Sequence, residues 1–188
     1  MRTSGLILRA AAAGLILLSR PMAAQMSNAA MQDLLADVAQ VERKLVGLAN
    51  EMPAATYDWR PMEGVRSVGE VFLHVAADNY LLPTFDGIAA PASTGVTSDY
   101  ATAQAFEQRA LSRDEIIAAL QVSFGHLKEA MSAAGAKSAD REVRLFGRTM
   151  TGQALWILAV THLHEHLGQA IAYARSNEVV PPWSRGGM

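Results

Sequence analysis

An all-α chain, folded as a four-helix bundle with long connections, is what the sequence predicts, on three observations. Four stretches repeat apolar residues every three to four positions, the period that puts them on one helical face. Two of them open on a Ser-x-x-Glu box and a third on a threonine cap. There is no internal repeat and no alternating run long enough for a sheet. With 188 residues, 51% of them hydrophobic and 18% charged, one domain with a sizeable core is expected. Facing helices that bury apolar stripes against one another are the simplest way to build it.

The first helix is expected over residues 28–51, where Met31, Leu34, Leu35, Val38, Val41, Leu45 and Leu48 keep the period. Asn28 is its expected cap and Pro53 its stop. A connection with Tyr57, Trp59, Pro61 and Gly64 follows. Ser67 and Glu70 form the first capping box, and the second helix is expected to end near Leu82 because Pro83 disfavours continuation. Residues 83–111 make a long connection rich in Pro, Gly, Ser and Thr, with a short helix expected near residues 101–110. Long loops of this kind are commonly functional. Ser112 and Glu115 form the second box and open a helix to about Ala134, which Gly135 ends. Residues 139–150 fit a short extended crossover or a hairpin around Gly147. Thr151 caps a last helix to about Arg175, and the Pro181-Pro182-Trp183 tail is expected to pack back on the bundle.

The formal net charge of -2 and a pI near 6.2 give no basic surface for nucleic acid. The absence of cysteine excludes disulfides, thiolate metal sites and a cysteine nucleophile. Residues 1–24 have the form of a secretory signal. Arg2 and Arg9 precede the apolar run Ala10–Leu18, which is too short to span a bilayer, and Ala23 and Ala24 offer a cleavage point. Met22 and Arg20 fit that point imperfectly. The alternatives are an uncleaved anchor, or Met26 as the true start of a cytoplasmic protein. Removing the segment takes three arginines and no acid, leaving 13 basic and 18 acidic residues, net -5. Residues 25–188 would then form one acidic domain of the periplasm or cell exterior, with no stable membrane span.

Three histidines carry the chemistry. His162 and His166, at i and i+4, lie about 40° apart on one helical face. His74, on the second helix, could join them from across the bundle and complete a three-nitrogen metal site with open positions. If the ring of His74 lay more than about 8 Å from the other two, ligation lengths would forbid it. His164 points roughly 200° from His162 and is assigned to solvent or a bundle edge. Asp78, one turn after His74, is a candidate fourth ligand or an orienting partner; its bland alternative is a bundle-edge carboxylate. Glu165 is a candidate general base, against an ordinary surface glutamate. Gln169 is a candidate hydrogen-bond partner near the site, against a packing role. No chemistry requires His126.

These residues resemble the DinB/YfiT-like four-helix-bundle metalloproteins. The resemblance runs through Trp59-Arg60-Pro61 and Ser67-Val68-Gly69-Glu70-Val71-Phe72-Leu73-His74. It continues in His162-Leu163-His164-Glu165-His166-Leu167-Gly168-Gln169, with Tyr173 and Arg175, and in the Pro181-Pro182-Trp183 tail. It covers residues 28–183. It implies that His74, His162 and His166 hold a divalent ion, zinc or nickel first, with iron, manganese or copper as alternatives. It also implies a small-molecule substrate or ligand and a homodimer. Some members of the family are thiol-dependent transferases and others are treated as metal-dependent hydrolases. The signal segment departs from the family and weakens the thiol-transferase reading, since cytosolic thiols are not expected outside the membrane. Two functions are therefore expected to compete: a metal-dependent hydrolase or group transferase, and a non-catalytic metal- or ligand-binding stress protein. A bundle whose histidines only pack is the third.

Overall fold

The computed structural model describes residues 20–185. Five helices, α1 (Arg20–Glu51), α2 (Val68–Phe85), α3 (Tyr100–Glu107), α4 (Arg113–Ala134) and α5 (Gly152–Ser176), account for most of them. The four long ones form a ring in the order α1, α4, α2, α5, each packed on the next and α5 closing on α1. Short α3 lies against α2, and a two-stranded hairpin, β1 (Glu142–Leu145) and β2 (Arg148–Thr151), leads into α5. Among the described residues no helix is long and apolar enough to cross a membrane.

The helix starts are legible in the residues. Ser67 Oγ accepts from the Glu70 amide while Glu70 returns a bond to the Ser67 amide, and Ser112 and Glu115 repeat the box at α4. Thr151 caps α5 through the Ala154 amide. Every residue of α2 from Val68 to Pro83 except Glu70 is buried, so this helix forms the axis of the core. Phe72, Leu81, Leu120, Phe124, Leu155 and Trp156 pack there with less than 2% exposure.

Three expectations are corrected. The first helix begins at Arg20, not at Asn28. Residues 20–31 contain several alanines and methionines, both strong helix formers, and Pro21 sits in the first turn, where no amide bond is lost. The helix thus crosses the expected cleavage point after Ala24, while residues 1–19 of the expected signal segment lie outside the described residues. The second helix runs through Pro83 to Phe85. So near the helix end the missing amide removes one bond, and the Pro83 carbonyl instead accepts from Asp86 and Ile88 to close the turn. The short helix is Tyr100–Glu107, capped by Asp99, and so ends earlier than expected.

Residues 139–150, open between crossover and hairpin in the sequence, are a hairpin. Leu145 pairs with Arg148 across a two-residue turn, and both Phe146 (φ 48°) and Gly147 (φ 80°) are left-handed. That is the turn whose twist matches antiparallel strands. Glycine takes the conformation freely, whereas phenylalanine is strained in it.

Candidate metal centre

α2 carries His74 and Asp78 one turn apart, and α5 carries His162 and His166 one turn apart. The packing of these two helices turns both pairs toward each other. His74 and His166 are buried and His162 is half-buried. The ring of His74 lies 5.1 Å from that of His162 and 4.5 Å from that of His166, inside the limit set by ligation lengths. Nε2 of His162 is 3.3 Å from Nε2 of His74 and 3.0 Å from Nε2 of His166. Nitrogens about 2.0–2.1 Å from one tetrahedral ion stand about 3.3 Å apart, close to these two distances, and ring nitrogens of all three histidines lie within 4.8 Å of one another.

For His74 and His166, the far side of the ring fixes which nitrogen is free. His166 Nδ1 donates to Gln169 Oε1 at 2.8 Å. Gln169 Nε2 donates in turn to the Tyr173 hydroxyl, and that hydroxyl donates to the Arg66 carbonyl at 3.1 Å. Because the carbonyl can only accept, the whole relay has one direction and leaves His166 Nε2 as a bare lone pair. His74 Nδ1 donates to Glu107 Oε1 at 2.6 Å, with the same result at its Nε2. Arg66 holds the other Glu107 oxygen at 3.0 Å. Burial would raise the Glu107 pKa, but the hydrogen bond from His74 and the charge of Arg66 outweigh it and keep the carboxyl below its ordinary value. Trp59 stands edge-on to Tyr173 at 5.4 Å and backs this relay.

Asp78 Oδ2 lies 3.2 Å from His162 Nε2 and 3.5 Å from His74 Nε2. Its Oδ1 is buried without a hydrogen-bond partner. Burial is the main cause that pushes the Asp78 pKa up to about 6. Burial, and then the neighbouring His166 and His74, push His162 down to about 3. Burial also lowers His166, against an opposing pull from Gln169. Burial therefore favours the neutral form of His162 and His166, the form in which an imidazole ligates a metal. Three converging ring nitrogens and an orphaned carboxylate oxygen are costly in a buried site unless a cation accepts them. This donor set fits a divalent ion of the zinc or nickel type. Ligand atoms of His74, Asp78 and Glu107 also lie within 4.8 Å of one another. Glu107, however, addresses Nδ1 and Asp78 Nε2, opposite edges of one ring, so they do not share an ion.

His164 points away from the three and pairs with Asp37 of α1 at the exposed edge. Gln169 stands at the site through His166, and Asp78 faces the histidine nitrogens. Glu165 is exposed and makes none of the described hydrogen bonds or ion pairs, so its position is that of a surface glutamate. His126 packs on Tyr80 away from the cluster. The sequence reading missed Glu107 and Arg66. Only the length of the 83–111 connection pointed toward Glu107, and no spacing rule joins it to His74.

A cavity of roughly 430 Å³ opens beside the cluster. His74, Asp78 and His162 form its floor, while Leu81, Leu82, Leu145, Phe146 and Leu158 form apolar walls.

A family model described as the DinB superfamily matches residues 37–170. Two solved structures resemble the fold. A DinB-like protein from Bacillus cereus is 16% identical with a TM-score of 0.66, over 80% of this chain and 95% of that one. A DinB-like protein from Bacillus subtilis is 19% identical with a TM-score of 0.60, over 79% and 93%. No protein with a curated description matches the sequence.

Proposed function

The chain belongs to the DinB superfamily, and from that premise we propose that it is an exported protein that binds a divalent metal ion through His74, His162 and His166. We further propose that it acts there on a small molecule as a hydrolase or group transferase. The supporting observation is the convergence of three Nε2 atoms, two of which, on His74 and His166, are left free by the Nδ1 partners Glu107 and Gln169. A divalent ion in that position supplies Lewis-acid polarisation of a substrate oxygen. The chain's own residues do the rest. Glu107, held anionic by its hydrogen bond from His74 and by Arg66, orients His74, and the Gln169–Tyr173–Arg66 relay orients His166. Asp78 Oδ1, buried and without a partner, is the acceptor for a proton released beside the histidines. The apolar walls exclude water from the floor of the cavity. Zinc and nickel suit the nitrogen set best, with iron, manganese and copper after them.

One observation favours the second reading, a non-catalytic metal-binding or stress-related bundle. Asp78 Oδ2 is near enough to two of the Nε2 atoms to close a fourth position itself. Metal analysis of the native protein and of His162→Ala tests the ion. Equimolar metal that the variant loses supports the proposal, and metal-free native protein removes it. A screen of esters, amides and thiol adducts with and without chelator separates the two readings, since chelator-sensitive turnover belongs only to the first. N-terminal sequencing of the exported fraction tests the signal segment.

A further inference from the structure

The cavity over the cluster is apolar on its walls but carries one cation, Arg148, from β2. Arg148 is exposed and takes part in no ion pair among the described residues. Beside it stands Phe146, 60% exposed at the tip of the hairpin, in the left-handed backbone region a bulky side chain seldom adopts. The strain places an aromatic ring where a turn of this type ordinarily takes asparagine or glycine. There Phe146 stands edge-on to Phe85 and to Tyr100, each 5.5 Å away, and Tyr100 also lines the cavity. The volume is within the range of small-molecule sites, about fourteen waters' worth of liquid.

We infer that this cavity selects a small organic anion with an apolar, preferably aromatic, body. The body lies against Phe146 and Tyr100, the anionic group meets Arg148, and a polar group at the other end reaches the floor at His74 and His162. Only this last contact rests on the reading of the three histidines as a metal centre. An unpaired guanidinium beside otherwise apolar walls disfavours a cationic ligand and gives a neutral one nothing for the charge. Aromatic edges at the tip favour a flat ring over a branched alkyl chain.

The test titrates the full chain by calorimetry with 4-phenylbutanoate and its neutral counterpart, 4-phenylbutanamide. At low ionic strength the acid binds about fivefold more tightly, the upper end for an exposed ion pair. About 0.5 M salt erodes that preference. Arg148→Gln abolishes the preference while leaving amide binding unchanged. Phe146→Asn, which suits the left-handed turn and so preserves the hairpin, weakens both probes about fivefold. Equal binding of acid and amide, no binding of either, or a preference that survives Arg148→Gln overturns the inference. Metal analysis of the same native samples separates the two proposals. Metal-free native protein that keeps the Arg148-dependent preference removes the metal reading alone. Metal-loaded protein with no preference removes this one alone.

Discussion

Among the described residues, the buried polar groups around Asp86 and those around the histidines differ in what they leave over. At the foot of α5, Asp86 is 3% exposed and both of its oxygens are taken. Arg141 donates to Oδ1, and Ser138 and the Trp156 indole donate to Oδ2. The surrounding backbone closes as well: Gly152 donates to the Arg141 carbonyl at 2.8 Å and Gln153 to that of Ala139 at 3.1 Å. A Cβ on Gly152 would stand 2.2 Å from the Ser138 carbonyl oxygen, so only glycine lets the two segments approach. At the histidine cluster, the outer nitrogens of His74 and His166 are satisfied, yet their inner nitrogens meet only His162 Nε2, which cannot donate to both, and Asp78 Oδ1 has no partner. A cluster that completes its own hydrogen bonds contributes to the fold. One that concentrates unmatched acceptors at a point has capacity for a cation.

The sharpest way to break this contrast is His166→Ala. Native protein should hold an equimolar divalent ion, and the variant should lose affinity by more than the roughly 10- to 100-fold expected for an orienting partner. Mass spectrometry of the desalted protein reads it. In the metal-free state the variant should melt close to the native temperature, because the histidines are not what closes the core. Asp86→Ala should behave in the opposite sense. Three donors lose their acceptor, and denaturant titration should show a loss of about 3 kcal/mol. The metal content per folded molecule should stay unchanged. If it falls instead, the clusters are coupled and the contrast fails.

Gln169→Ala sharpens the comparison by touching only the relay behind His166. Metal affinity should drop roughly 10- to 100-fold with little effect on stability, as read by competition with a chromophoric chelator. A smaller effect belongs to Tyr57, a neutral group with a closed bond. Its hydroxyl donates to the Ala49 carbonyl at 2.7 Å, and burial, against the opposing charge of Arg113, pushes its pKa up to about 12. Because the folded value lies above the ordinary 10, its contribution is complete below that pH and is lost as pH rises toward 12. Tyr57→Phe should cost about 1 kcal/mol near neutrality and should flatten the alkaline decline in melting temperature. A variant that keeps the native alkaline slope would assign that slope to another group.

Much of this was legible in the residues because it is local. The capping boxes at Ser67 and Ser112, the Thr151 cap and the i,i+4 histidine pair depend on neighbours three or four positions away. So does the outward direction of His164. Where expectation failed, a competing local rule prevailed: alanine and methionine propensity carried α1 back past Asn28, and a proline near a helix end proved too cheap to stop α2. Glu107 was invisible for a different reason. It meets His74 across 33 residues of sequence, and a carboxylate on a short helix carries no periodic sign of the imidazole it will face.

The order of residues alone determined that four amphipathic segments must bury their stripes together and that His162 and His166 share a face, since both follow from 3.6 residues per turn. Packing decided the remainder. The rotation of α2 against α5 set the 3.0–3.3 Å spacing of the ring nitrogens, and the docking of α3 brought Glu107 to His74. The hairpin raised Phe146 and Arg148 over the resulting cavity. Such distances come from side chains on separate helices interlocking in space, and no spacing along a single chain encodes them.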